Sequence, residues 1–146
     1  MDFCDTGMVD DPARLRSSFP CQYGGCSRLA AVVEVSRRGQ LLVNNEQATI
    51  YRVFPQAQGT IRVTGFLPYT NFVSQVPNLP ATIRAASATD AGALRVLDES
   101  WVPFYCPRCD RSFCAEHWAL TPTFSWGFDH YSGTCSAGHP HVIHHC

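Results

Sequence analysis

The chain has 146 residues, 45% hydrophobic and 16% charged, with a formal net charge of −1. That length suits one domain with a real core, and the near-neutral charge supplies no general attraction for nucleic acid or anionic lipid. Every basic residue is arginine, which excludes a Walker-type phosphate loop, a Schiff-base lysine and a Ser–Lys catalytic pair.

Taken in order, residues 1–20 read as a loosely held N-terminal arm. Asp10-Asp11-Pro12 resembles a short helix start, and Cys4 has no ligand partner nearby. The remainder, 21–146, reads as a single domain with a β-rich insertion over about 27–100. Short β-branched or apolar runs bounded by turn residues predict strands at 29–35, 40–43, 49–54 and 60–66. Their spacing suggests an antiparallel meander, with Arg52 and Arg62 on its solvated outer face. Pro68, Pro77 and Pro80 mark a loop over 68–80, with at most one helical turn at 71–75. Leu94, Leu97 and Trp101 fall at helical spacing behind Thr89-Asp90, so a helix is expected over about 90–99. Trp101-Val-Pro-Phe-Tyr105 reads as core, and 124–128 as an extended segment. The fold class expected is therefore α+β: an antiparallel β-meander with one or two short helices, tied to the cysteine- and histidine-rich segments at either end of it.

The chemistry is concentrated in eight cysteines and six histidines. Disulfides and metal sites compete to explain them. The acidic N-terminus lacks the basic-then-apolar pattern of a signal peptide, and no apolar run is long enough to span a membrane. A cytoplasmic location with reduced thiols is therefore expected, which favours metal. Every histidine lies at or beyond His117, a clustering that disulfides would not explain.

Four ligand pairs follow from spacing: Cys21/Cys26, Cys106/Cys109, Cys114/His117 and Cys135/His139. Two to four intervening residues form a turn tight enough to aim both donors at one ion. Gly24, Gly25 and Gly138 supply the backbone freedom such turns need. Eight donors fill two tetrahedral Zn2+ sites. The pairs can alternate, with 21/26 and 114/117 on one ion and 106/109 and 135/139 on the other. They can also divide as 106/109/114/117 and 21/26/135/139. The alternating arrangement is preferred, because it locks three distant segments together. His141, His144, His145 and Cys146 are alternatives to His139 or members of a third site.

The segment Cys109-Asp-Arg-Ser-Phe-Cys114-Ala-Glu-His117, with Cys106 before it, resembles the AN1-type zinc finger, a treble-clef-like family. The resemblance covers about residues 106–117. It implies a cross-braced two-zinc site and a binding role.

Three functional readings follow. In the first, both ions are structural and organise a protein-interaction or adaptor module, with no catalytic residues. In the second, one ion keeps an open position and serves a small zinc enzyme, with Glu116, Asp129 or His130 as general base. In the third, Arg28, Arg37, Arg38, Arg108 and Arg111 contact nucleic acid, which the overall charge disfavours.

Overall fold

Period-two alternation builds the first layer. In the stretch Arg14–Pro20, Leu15, Ser17 and Phe19 alternate with polar neighbours, which places one set on each face of a strand. The computed structural model describes residues 14–38, 46–66, 72–125 and 128–145. It shows an α+β architecture. Strands β1 (Arg14–Pro20), β2 (Leu29–Arg37), β3 (Gly59–Thr64) and β4 (Phe72–Val76) form one sheet in that spatial order. Each neighbouring pair is antiparallel, so the sheet is the meander the sequence predicts.

Its inner face carries Phe19, Ala31, Val33, Val35, Ile61 and Val63, all buried. Helices α2 (Leu79–Ser87) and α3 (Ala91–Leu97) contribute Ala85, Ala86 and Leu94 to the same core, and α2 packs on β1 and β2. The opposite face is polar, with Glu34 and Arg62 buried and Arg16 exposed at the edge. Arg16, Glu34 and Arg62 are register partners across β1, β2 and β3, and Arg16 reaches Glu34 at 3.5 Å. Opposite charges directly across a ladder support one another.

Several expectations are corrected. Residues 14–20 are not an arm but the edge strand β1. The alternation there is legible, and Pro12 diverted the reading toward a helix. The stretch 49–54 is not a strand: helix α1 (Glu46–Val53) occupies it. Its β-branched residues suggest a strand, but Glu46, Gln47 and Ala48 start a helix ahead of them, and Phe54 N–H still bonds to Ile50 C=O at 2.8 Å. Arg62 is buried, not on a solvated face, and Arg52 lies in α1. The expected loop at 68–80 contains β4 where a helical turn was expected, and then the start of α2. Asn78 caps α2 by accepting from Ala81 N–H at 3.2 Å, with Pro80 in its first turn. The single helix expected over 90–99 is α3, with Asp90 as its cap through Ala93 N–H at 3.0 Å. The strand expected at 40–43 and the first thirteen residues lie outside the described residues.

After α3, a 3₁₀ turn at Glu99–Trp101 delivers the apolar run into the core. Trp101, Val102, Phe104 and Tyr105 are all buried, as expected. The Phe104 ring lies 5.4 Å from Phe19 and 6.2 Å from Phe66. It therefore bolts the cysteine-rich segment that follows onto the sheet. A two-stranded ladder, β5 (Tyr105–Cys106) with β6 (Arg111–Ser112), comes next. A second sheet, β7 (Thr121–Ser125), β8 (Phe128–Thr134) and β9 (Pro140–His145), closes the chain.

Truncating Phe104 to alanine should cost about 3–5 kcal/mol, because it empties the joint between the two halves. Val96, 85% exposed on α3, serves as the control, and Val96→Ala should stay within about 0.5 kcal/mol. Urea unfolding of both variants checks the contrast.

Candidate metal centre

Four short turns carry the donors. In the first, Cys26 N–H bonds to Tyr23 C=O at 3.0 Å and Cys21 N–H to Arg28 C=O at 3.0 Å. Gly25 takes φ +80°, the left-handed conformation that closes this knuckle. In the second, β5 and β6 flank Cys106 and Cys109, and Asp110 N–H bonds to Cys106 C=O at 2.9 Å. Asp110 itself stands at φ +56°. Aspartate tolerates this better than most residues, and Tyr105 steadies it by donating its hydroxyl to Asp110 Oδ1 at 2.6 Å. In the third, a 3₁₀ turn at Ala115–His117 follows Cys114, with His117 N–H on Cys114 C=O at 2.9 Å. In the fourth, Gly138 at φ +90° lets Cys135 and His139 face each other, and His139 N–H points at Cys135 Sγ from 3.4 Å.

These turns interleave. Cys21, Cys26, Cys114 and His117 converge in one cluster, and Cys106, Cys109, Cys135 and His139 in another, each with all four donor atoms within 4.8 Å of one another. First joins third and second joins fourth, the alternating order. His139 sits in the second cluster. His141 is in neither; it is half-buried, with its ring 6.3 Å from Trp118. Cys4 and Cys146 lie outside the described residues, and the side chains of Asp129, His130, His144 and His145 are not described.

The donor separations test the fit to an ion. A tetrahedron with sulfur about 2.3 Å and nitrogen about 2.0–2.1 Å from its centre has S···S edges of about 3.8 Å and S···N edges of about 3.6 Å. In the second cluster Cys106 and Cys109 Sγ lie 3.7 and 3.6 Å from Cys135 Sγ, and His139 Nδ1 is 3.6, 3.3 and 3.4 Å from the three sulfurs. In the first, Cys26 and Cys114 Sγ are 4.0 Å apart, with His117 Nδ1 at 3.5 Å from Cys21 and 3.3 Å from Cys114. The separations fit one ion per cluster, and the six cysteines are free thiols.

Electrostatics point the same way. Burial opposes ionisation of Cys21, but N–H groups of Cys114 and Tyr23 with His117 bring its thiol down to about 7. Cys135 falls to about 6 against the same burial, through N–H groups of His139 and Ala137. Burial and the neighbouring Cys135 and Cys106 push Cys109 up to about 12, and burial raises Cys114 as well. Three thiolates brought this close together would need a cation between them.

Several supporting residues escape a reading by ligand spacing. Gln22 straps the first turn to β6: its N–H bonds to Ser112 C=O at 2.8 Å, and its Oε1 accepts from Ser112 N–H at 2.7 Å. Trp118 Nε1–H bonds to Phe104 C=O at 3.1 Å. Arg28 pairs with Glu116 at 2.8 Å, both well exposed. No local spacing announces such partners, because they are close only in the folded chain.

Fold and site together define an α+β domain built around two Cys3His metal-ligand clusters. The chain belongs to the family described as "Domain of unknown function (DUF8328)", whose model matches residues 12–145. No curated protein and no solved structure matches it. Among the described residues no helix is long and apolar enough to cross a membrane.

The Tyr105–Asp110 hydrogen bond gives a prediction. Burial first, then Asp110, pushes the Tyr105 hydroxyl up to about 12 from the usual 10. Because the folded value is raised, the bond supports the fold fully below about pH 10 and is lost as pH rises through about 12. In an alkaline absorbance titration Tyr105→Phe should lack the late-ionising tyrosine. Its unfolding free energy at neutral pH should fall by about 1 kcal/mol.

Proposed function

We propose that this chain is a zinc-binding module, in which two structural Zn2+ ions organise a surface for a protein partner. The agreement between donor separations and the edges of two closed tetrahedra carries the reading. Three sulfurs and one imidazole per site form a set that suits zinc, a borderline ion without geometric demands of its own. Bound there, zinc would supply folding free energy and fix the four turns against one another. Nδ1 is the nitrogen that both histidines turn toward the sulfurs.

A structural role is favoured over catalysis by where the one candidate base with a described side chain sits. Glu116 is engaged with Arg28 at the surface, which leaves its carboxylate occupied rather than poised over an ion. The protein-binding part draws on the resemblance of 106–117 to AN1-type fingers. It also draws on a mostly apolar groove of about 400 Å3 between α2 and α3, lined by Ala81, Ala85, Ala93 and the exposed Val96, with Arg84 and Asp90 also on its wall. Apolar surface of that kind, beside a nearly neutral chain, suits a protein better than a polyanion.

Metal analysis of the purified chain tests this reading. Two zinc ions per chain are expected, and the cobalt-substituted protein should show thiolate charge-transfer bands with the intense visible absorption of tetrahedral sites. Fewer than two tightly held ions, or a cobalt site with a water ligand, would contradict it.

A further inference from the structure

We infer that Tyr23 is a shield over the first cluster, so that the ion held there exchanges more slowly than the ion in the second. This rests on the metal-binding reading above. The Tyr23 ring lies on the imidazole of His117, with centroids 4.0 Å apart and planes inclined by only 13°. The stack survives although Tyr23 is 44% exposed, so the contact is made with the ligand itself and not with the core. Its position is built into the knuckle: Tyr23 C=O accepts from Cys26 N–H, so the turn that aims Cys21 and Cys26 also carries the ring. A polar recess of about 310 Å3 opens at this point onto two donors of the cluster, Cys26 and His117, and the Tyr23 ring forms part of its wall with Gly24, Gly25 and Arg28. Arg28, on the wall of this recess, pairs with Glu116, the residue before His117.

Burial does not separate the two clusters. Each has two buried donors and two half-buried ones. The difference is in what covers the imidazole. Among the described residues no ring stacks on His139. An incoming chelator displaces the ion by taking a place as one donor swings away, and in each cluster the half-buried donors, a histidine and one cysteine (Cys26 or Cys109), are the ones nearest solvent. A ring lying flat on His117 opposes that swing, and the group supporting a ligand then governs how firmly the metal is held.

The test uses the zinc-loaded full chain mixed with excess chromophoric chelator. Release should occur in two phases, one ion each. Tyr23→Ala should speed the slower phase about two- to tenfold, the range that one aromatic pair contributes, and leave the faster phase unchanged. Tyr23→Phe should behave as the parent, since the stack does not need the hydroxyl. Tyr23→Leu keeps bulk without the ring and should resemble Tyr23→Ala, with circular dichroism confirming that each variant is folded. Unchanged release from folded Tyr23→Ala and Tyr23→Leu would overturn the inference, and so would equal acceleration of both phases. A parent protein holding fewer than two ions at the start would instead remove the metal-binding reading on which the inference stands.

Discussion

The alternating convergence of four donor turns into two clusters is the constraint on which the rest of this structure depends. Each cluster draws donors from two turns that are distant in sequence: Cys21 and Cys26 meet Cys114 and His117, while Cys106 and Cys109 meet Cys135 and His139. Because the turns alternate, neither cluster can form without fixing the path of the chain through the other. An ion in each place would hold the start of the meander, the central segment and the last sheet at set distances. Local chain stiffness alone would not do so, since four turns of two to four intervening residues have little stability by themselves.

The clusters are not an appendage to a separate core. Cys21, Cys106, Cys114 and Cys135 belong to the same buried group as Phe19, Val33, Ile61 and Leu94. Phe104 joins the two halves by touching Phe19 and Phe66 and by accepting the Trp118 indole N–H. Apolar packing and coordination therefore reinforce one another. The hydrophobic run at 101–105 sets the distance between the sheet and the two clusters, and coordination would hold the turns that packing leaves exposed. The first cluster is further held by Gln22 on β6 and by Tyr23 on His117.

What could be read from the chain, and what could not, divides by the range of the interaction. Ligand pairs are legible because each depends on a spacing of two to four residues, and Gly25 and Gly138 mark turns that need a positive φ. The meander and the Asp90 cap of α3 are legible for the same reason. The α1 segment is not, because Ile50, Tyr51 and Val53 favour strands while the helix starts at the Glu-Gln-Ala before them. Here neighbouring signals conflict and tertiary packing decides. Its charge suggests a solvated face for Arg62, yet its register opposite Glu34 lets it lie buried. The stacking of Tyr23 on His117 joins residues ninety-four positions apart (117 − 23), and no pattern in the sequence marks it.

Amide hydrogen exchange on the full chain, before and after chelator treatment, tests the central claim most directly. The account predicts that metal removal accelerates exchange together in three separated stretches, around 21–28, 105–118 and 134–140. The amides of β2 and β3 should lose less protection, since their ladder and apolar face remain. Unchanged protection in all three stretches after the metal is gone would show that coordination does not hold the chain together.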